Sequence, residues 1–66
     1  RVNMQNNTGQ TALMFASRSG NVATVELLLK KGGDSTIVDF DKKTALDYAK
    51  NFKHNDVIRL LKKEFE

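Results

Sequence analysis

The feature that most restricts this chain is that it repeats itself. Thr11-Ala12-Leu13 returns 33 residues later as Thr44-Ala45-Leu46, and at the same offset Ala16 matches Ala49, Leu27-Leu28 match Leu60-Leu61, and Lys30 matches Lys63. Conservative matches join them: Phe15 with Tyr48, Val25 with Ile58, Asn6 with Asp39. Self-similarity at a period of roughly 20–50 residues marks a stacked architecture, in which each unit buries its apolar face only against its neighbours. The matched positions are largely apolar, as two copies sharing one core require.

Within each copy the apolar spacing predicts two short helices rather than strands. Thr11 is a good N-cap, Ala12, Leu13 and Ala16 follow at helical spacing, and Gly20 can end the segment in a left-handed conformation. Asn21 then caps a second helix, whose Val22, Val25, Leu28 and Leu29 form one apolar stripe before Gly32-Gly33 closes it. The second copy repeats the plan. Thr44 caps Ala45, Leu46 and Ala49, and after the polar stretch Asn51 to Asn55 comes a stripe of Val57, Ile58, Leu61 and Phe65, with Asn55 or Asp56 as the expected cap. Between the copies, residues 34–43 have no helical period. Ile37-Val38 beside Asp39-Phe40-Asp41-Lys42 reads as a hairpin-like excursion with an Asp-rich turn, expected to project from the helices.

Length sets a second constraint, because 66 residues bury only about 60% of their unfolded surface. Disulfides and metals are the usual staples for small chains, but there is no cysteine and a single histidine, His54. Stability must come from helix packing or from neighbouring units, so the isolated chain is expected to be marginal or to self-associate through its exposed end. The lack of cysteine fits a reducing compartment, and the expected location is intracellular, in cytoplasm or nucleus. No apolar run approaches the roughly 18 residues of a membrane span, and Arg1-Val2-Asn3-Met4 lacks the pattern of a signal peptide. A first residue other than methionine points to a piece of a longer protein. The net charge is +3, with acidic and basic residues interspersed. Its densest basic pairs, Lys30-Lys31 and Lys62-Lys63, fall at predicted helix ends, where cations complement the helix dipole. That placement argues against a nucleic-acid surface, which gathers its cations on one face.

These aligned residues resemble the ankyrin repeat, whose period is 33 residues and whose signature contains Thr-Pro-Leu-His-x-Ala. Thr11-Ala12-Leu13-Met14-Phe15-Ala16 and Thr44-Ala45-Leu46-Asp47-Tyr48-Ala49 occupy that segment. Gly9, Gly20-Asn21, Val25-Glu26-Leu27-Leu28-Leu29 and Gly32-Gly33-Asp34 agree with other family features, and Val2-Asn3 resembles the residues that precede a hairpin tip. The resemblance implies an all-α fold, a solenoid fragment of helix-turn-helix pairs joined by a hairpin-like loop. It divides the chain into the tail of a preceding repeat (1–5), a repeat (6–38) and a divergent terminal repeat (39–66). Ala12 and Ala45 stand where the family has proline, and Met14 and Asp47 where it has histidine, so each first helix lacks the preset start and the tie those residues supply. Lys42 and Lys53 replace the glycines found at Gly9 and Gly20, which predicts looser turns in the second repeat.

The family's function implies a protein partner, bound by hairpin tips and by the exposed face of each first helix. Mapped onto this chain, those positions are Gln5, Asn7, Thr8, Gln10, Arg18 and Ser19 in the first repeat. In the second they are Val38, Phe40, Asp41, Lys43, Asn51 and Phe52. Phe40 is a large apolar side chain in a turn that gains nothing from it, and aromatic anchors are enriched at interface hot spots. The competing reading folds Phe40 back over Ile37 or the neighbouring hairpin. Phe52 is either a contact or a cover for the core, and Val38 is a hairpin residue. The structural alternative for the whole segment is a capping pair that stabilises a longer array or packs on an attached domain.

Enzymatic readings fail on the residues. His54 lies at the inter-helix turn, where a structural hydrogen bond explains it, and a zinc site needs three or four ligands. Asp39, Asp41 and Asp47 lack the spacing of a calcium loop, and turn capping accounts for the first two. Gly32-Gly33-Asp34-Ser35 ends a helix instead of opening one, unlike a phosphate-binding loop. Ser17, Ser19, Thr24 and Tyr48 have no base and orienter around them. The expectation is therefore no catalytic site, no metal, no cofactor and no small-molecule substrate.

Overall fold

The computed structural model describes residues 2–63. Four helices follow in order: α1 (Ala12–Ser19), α2 (Val22–Lys30), α3 (Ala45–Asn51) and α4 (Asn55–Lys63). No strand occurs among the described residues, so the fold is all-α. Phe65, expected on the last apolar stripe, lies outside the described residues. Helix α1 packs against α2 within its own copy and against α3 of the next, while α2 packs on α4. The result is two layers, α1 with α3 and α2 with α4, with the core between them. Leu13, Met14, Val25, Ala49, Val57 and Leu61 are buried there, and Leu28, Ile37, Leu46 and Ile58 pack around them.

The helix starts follow from local chemistry. The Thr11 hydroxyl accepts a hydrogen bond from the Met14 amide at 3.3 Å, and the Thr11 amide points back at Met14 Sδ at 3.4 Å. In α3 the Thr44 hydroxyl accepts from the Asp47 amide at 3.3 Å, and the Asp47 carboxylate accepts from the Thr44 amide at 3.0 Å. Met14 and Asp47 thus restore by a reciprocal cap the tie that the missing histidine and proline seemed to remove. Asn21 caps α2 through the Thr24 amide at 3.2 Å. The last helix differs from expectation: Asn55 and Asp56 both lie inside its first turn. The His54 carbonyl accepts the first helical bond, from the Ile58 amide at 3.0 Å, because the sharp turn at Lys53 already aims that carbonyl along the helix.

The two copies make their turns with the same backbone. Gly9 and Gly20 have φ of 83° and 74°, and Lys42 and Lys53 follow them at 63° and 58°. Lysine in this left-handed region is disfavoured by its β-carbon. The second copy therefore has the same turns under strain, where looser ones were expected.

Candidate functional site

The turn tips are built on an Asx residue in each copy. Asn6 Oδ1 accepts from the amides of Thr8 (3.0 Å) and Gln10 (2.9 Å). Asp39 Oδ1 accepts from those of Asp41 and Lys43, both at 2.9 Å. Each turn is closed by a backbone pair, Asn6 N–H to Gln10 O and Asp39 N–H to Lys43 O, both 2.9 Å. The side chain mimics a backbone turn, which is why Asn and Asp hold this place. The excursion expected over residues 34–43 is thus a chain of turns without strand pairing.

Neighbouring tips are then joined to each other. The Phe40 amide donates to the Thr8 carbonyl at 3.1 Å. Gln5 Nε2 reaches both the Gly9 carbonyl (2.7 Å) and the Val38 carbonyl (3.0 Å). Gln10 Nε2 donates to the Tyr48 hydroxyl at 3.2 Å, and that hydroxyl donates to Asp39 Oδ2. The Tyr48 hydrogen bond, helped by the Lys43 amide, holds the Asp39 carboxyl below the usual carboxylate range, and the same bond raises the Tyr48 phenol. Asp34 is lowered likewise, by the Thr36 hydroxyl and amide. Before them, Asn3 ties the chain to the end of the first copy through the Gly32 carbonyl at 3.2 Å and the Asp34 amide at 2.7 Å.

A second group of candidates sits at the far end of the first helices, about 12 Å along an eight-residue helix from the tips. The Arg18 guanidinium lies over the Phe52 ring at 5.9 Å from its centroid. Phe52 stacks beside His54, with centroids 6.2 Å apart and planes 8° from parallel. His54 Nε2 stands 3.0 Å from the Arg18 carbonyl, a hydrogen bond when that nitrogen carries the proton.

The structure therefore divides the sequence candidates into two clusters. Thr8, Val38, Phe40, Asp41 and Lys43 stand together at the tips with Asn7, and Arg18, Ser19, Asn51 and Phe52 at the other end. All of these are exposed. Phe40 is the most open of the exposed large hydrophobic side chains among the described residues, at 73%, although its ring lies over Gly9, where an added β-carbon would sit 2.7 Å from Cδ1. Phe52 is 47% exposed and lies between the Arg18 guanidinium and the His54 ring. Gln5 and Gln10 are committed to bonds between copies. Sequence reasoning missed Tyr48 and Asn3. Their signal was present in the offset itself, since Asp39 aligns with Asn6, but the partners of both lie across the stack. Among the described residues no group of three or more His, Cys, Asp or Glu is placed to hold a metal ion, and no helix is long and apolar enough to cross a membrane.

Comparison with known proteins places this geometry. The family model described as ankyrin repeats (3 copies) matches residues 1–66. The human NAD-capped RNA hydrolase NUDT12 is 40% identical over 60 residues, covering 91% of this chain and 13% of that protein. The putative E3 ubiquitin-protein ligase XBAT34 of Arabidopsis thaliana is 40% identical over 53 residues, covering 80% of this chain and 14% of that protein. This chain thus spans a small part of those relatives. A chain in the structure of the Bd0816 predatory endopeptidase from Bdellovibrio bacteriovorus, in complex with immunity protein Bd3460, superposes with a TM-score of 0.92. It is 35% identical over 96% of this chain and 33% of its own length.

Proposed function

The chain belongs to the ankyrin-repeat family, and on that premise we propose that it binds a protein partner through its turn tips and the exposed face of its first helices. Ankyrin repeats are protein-interaction modules and typically non-enzymatic. The observation that carries the finer reading is Phe40: it is held at its turn tip by a backbone bond to the neighbouring turn while its ring remains mostly open. A rigid, exposed aromatic side chain loses little conformational freedom on binding, which is what an interface anchor needs. Arg18 and Phe52 form a second anchor at the opposite helix end, joined by a cation–π contact.

We read the segment as the tail of a preceding repeat (1–5), a repeat (6–38) and a terminal repeat (39–66), within an intracellular protein. The capping-pair alternative is favoured by one observation, that Gln5, Gln10 and Tyr48 spend their polar groups on coupling the two copies.

Alanine at Phe40 or Phe52 in the longer protein should weaken binding of its partner about tenfold or more. Arg59→Ala on α4, in the layer opposite the first helices, whose guanidinium pairs with Asp56 of the same helix, should leave affinity unchanged. Unchanged affinity in both phenylalanine variants, with melting unchanged, would sink the assignment.

A further inference from the structure

The Phe52 ring lies between the Arg18 guanidinium and the nearly parallel His54 ring, and three separate elements meet in that stack. Arg18 comes from the last turn of α1, Phe52 is the C-cap of α3, and His54 precedes α4. The stack is fixed from below. His54 Nε2 is 3.0 Å from the Arg18 carbonyl, and its ring rests on Gly20, where a β-carbon would lie 2.6 Å from Nδ1. A guanidinium held against an aromatic ring by its flat face keeps its N–H edge for a ligand. Arg18 is exposed, and among the described residues the one ion pair joins Arg59 to Asp56, so its charge has no carboxylate beside it.

Charge is distributed unevenly along this layer. At the tip end the exposed carboxylates Asp41 and Asp47 are balanced by Lys42 and Lys43. At the Arg18 end stand two further exposed cations, Lys50 in the last turn of α3 and Lys53 directly after Phe52. Asp56, which opens α4, is taken by Arg59. The C-termini of α1 and α3 each contribute about half a negative charge, which offsets roughly one of the three cations and leaves the end positive. The basic pairs Lys30-Lys31 and Lys62-Lys63 belong to the ends of α2 and α4 in the other layer. They do not extend this cluster into the continuous basic track that a nucleic-acid backbone follows.

We propose that the Arg18–Phe52 stack seats an acidic residue of the bound protein segment. An Asp or Glu carboxylate meets the N–H edge of Arg18 side-on, the geometry in which a guanidinium binds most strongly, and an apolar residue beside it lies on the open part of the Phe52 ring. Lys50 and Lys53 bias the approach of such a segment through the local potential. This inference rests on the reading that the first helices face a protein partner, and it adds the chemistry that partner presents.

NMR titration of the 66-residue chain with two end-capped ten-residue peptides, one alternating Glu and Leu and the other Gln and Leu, tests it. The acidic peptide should shift the Arg18 side-chain N–H and Phe52 ring signals saturably, and the Gln peptide should bind about tenfold more weakly or less well still. Arg18→Gln should weaken binding of the acidic peptide about tenfold, and Arg18→Lys should recover only part of that, because an ammonium lacks the planar fork. Lys50→Gln and Lys53→Gln should each cost about twofold, and Arg59→Gln nothing. Circular-dichroism melts confirm that each variant is folded. Equal affinity of the two peptides, no saturable shift, an Arg18→Gln variant that binds as before, or tighter binding of a ten-nucleotide thymidine oligomer at the same residues overturns the proposal. Where any of these results accompanies loss of partner binding by Phe40→Ala in the longer protein, the acidic-segment assignment falls alone and the protein-binding reading stands.

Discussion

Gly20 and Lys53 share a backbone conformation and a place in their repeats, yet they serve different purposes. Gly20 is at φ 74° with His54 pressed against it, so it is there for two reasons, the left-handed turn and the close approach. Lys53 is at φ 58° with its side chain exposed, so only the first demand applies. The same holds for Gly9 and Lys42. What the difference teaches is that a turn glycine in a stacked protein is fixed as much by its neighbour as by its own dihedral angles. Where no side chain among the described residues presses on the turn, as at Lys53, a residue that tolerates modest strain can stand in its place.

The largest expected effect separates interior from end. Leu61→Ala empties a fully buried site and should cost about 2–5 kcal/mol, enough to unfold a chain of this size. Leu28→Ala, at the partly buried counterpart, should cost about half as much. Urea titrations of the two variants check this, and equal losses would break the comparison. Next come the turns. Gly20→Ala meets both the left-handed penalty and the His54 ring and should destabilise by about 2 kcal/mol. Lys53→Gly should stabilise by about 0.5 kcal/mol, the relief of strain being partly offset by the greater freedom of glycine in the unfolded chain.

A smaller effect is expected at Ser17, whose buried hydroxyl has no hydrogen-bond partner among the described residues. Ser17→Ala should stabilise by about 1 kcal/mol, while Lys50→Ala at the exposed counterpart should change stability by no more than a few tenths.

Acid sharpens the contrast between the tips, because Asn6 is neutral and Asp39 is a carboxylate held by the Tyr48 hydroxyl. A folded pKa below the unfolded value, about 3.9 for aspartate, makes stability from Asp39 complete above that pH. It is lost as pH falls through the folded value. Asp34 adds a loss of the same sign. Asp39→Asn should remove that residue's part of the acid sensitivity and leave that of Asp34. Melts between pH 6 and pH 2, with carboxyl resonances followed by NMR, read both.

The helix pairs were legible in the sequence because their information is local. Thr11, Thr44, Asn21 and Gly20 act on residues within four positions of themselves, and each does what its type predicts. His54 was read as a structural turn residue, and its bond to the Arg18 carbonyl agrees. The cap of α4 was misplaced because Asn55 and Asp56 are both good caps by type, and only the dihedral angle at Lys53 decides where the helix begins. Gln5 and Gln10 looked like free polar tip residues, but their partners lie across the stack, at Val38 and Tyr48. Bonds of that kind depend on how one repeat sits on the next, which no local pattern records. The resting place of the Phe40 ring, over Gly9, was open between two readings for the same reason.

Phe40 combines an exposed ring with an amide bonded to the other repeat's Thr8 carbonyl. Its exchange with deuterium is consequently governed by separation of the repeats rather than by fraying of either helix pair. A partner that grips the ring pulls on the very residue whose amide registers that separation. The protection factor at this single position therefore reports, in one number, whether capture of a ligand tightens the joint or pries it apart.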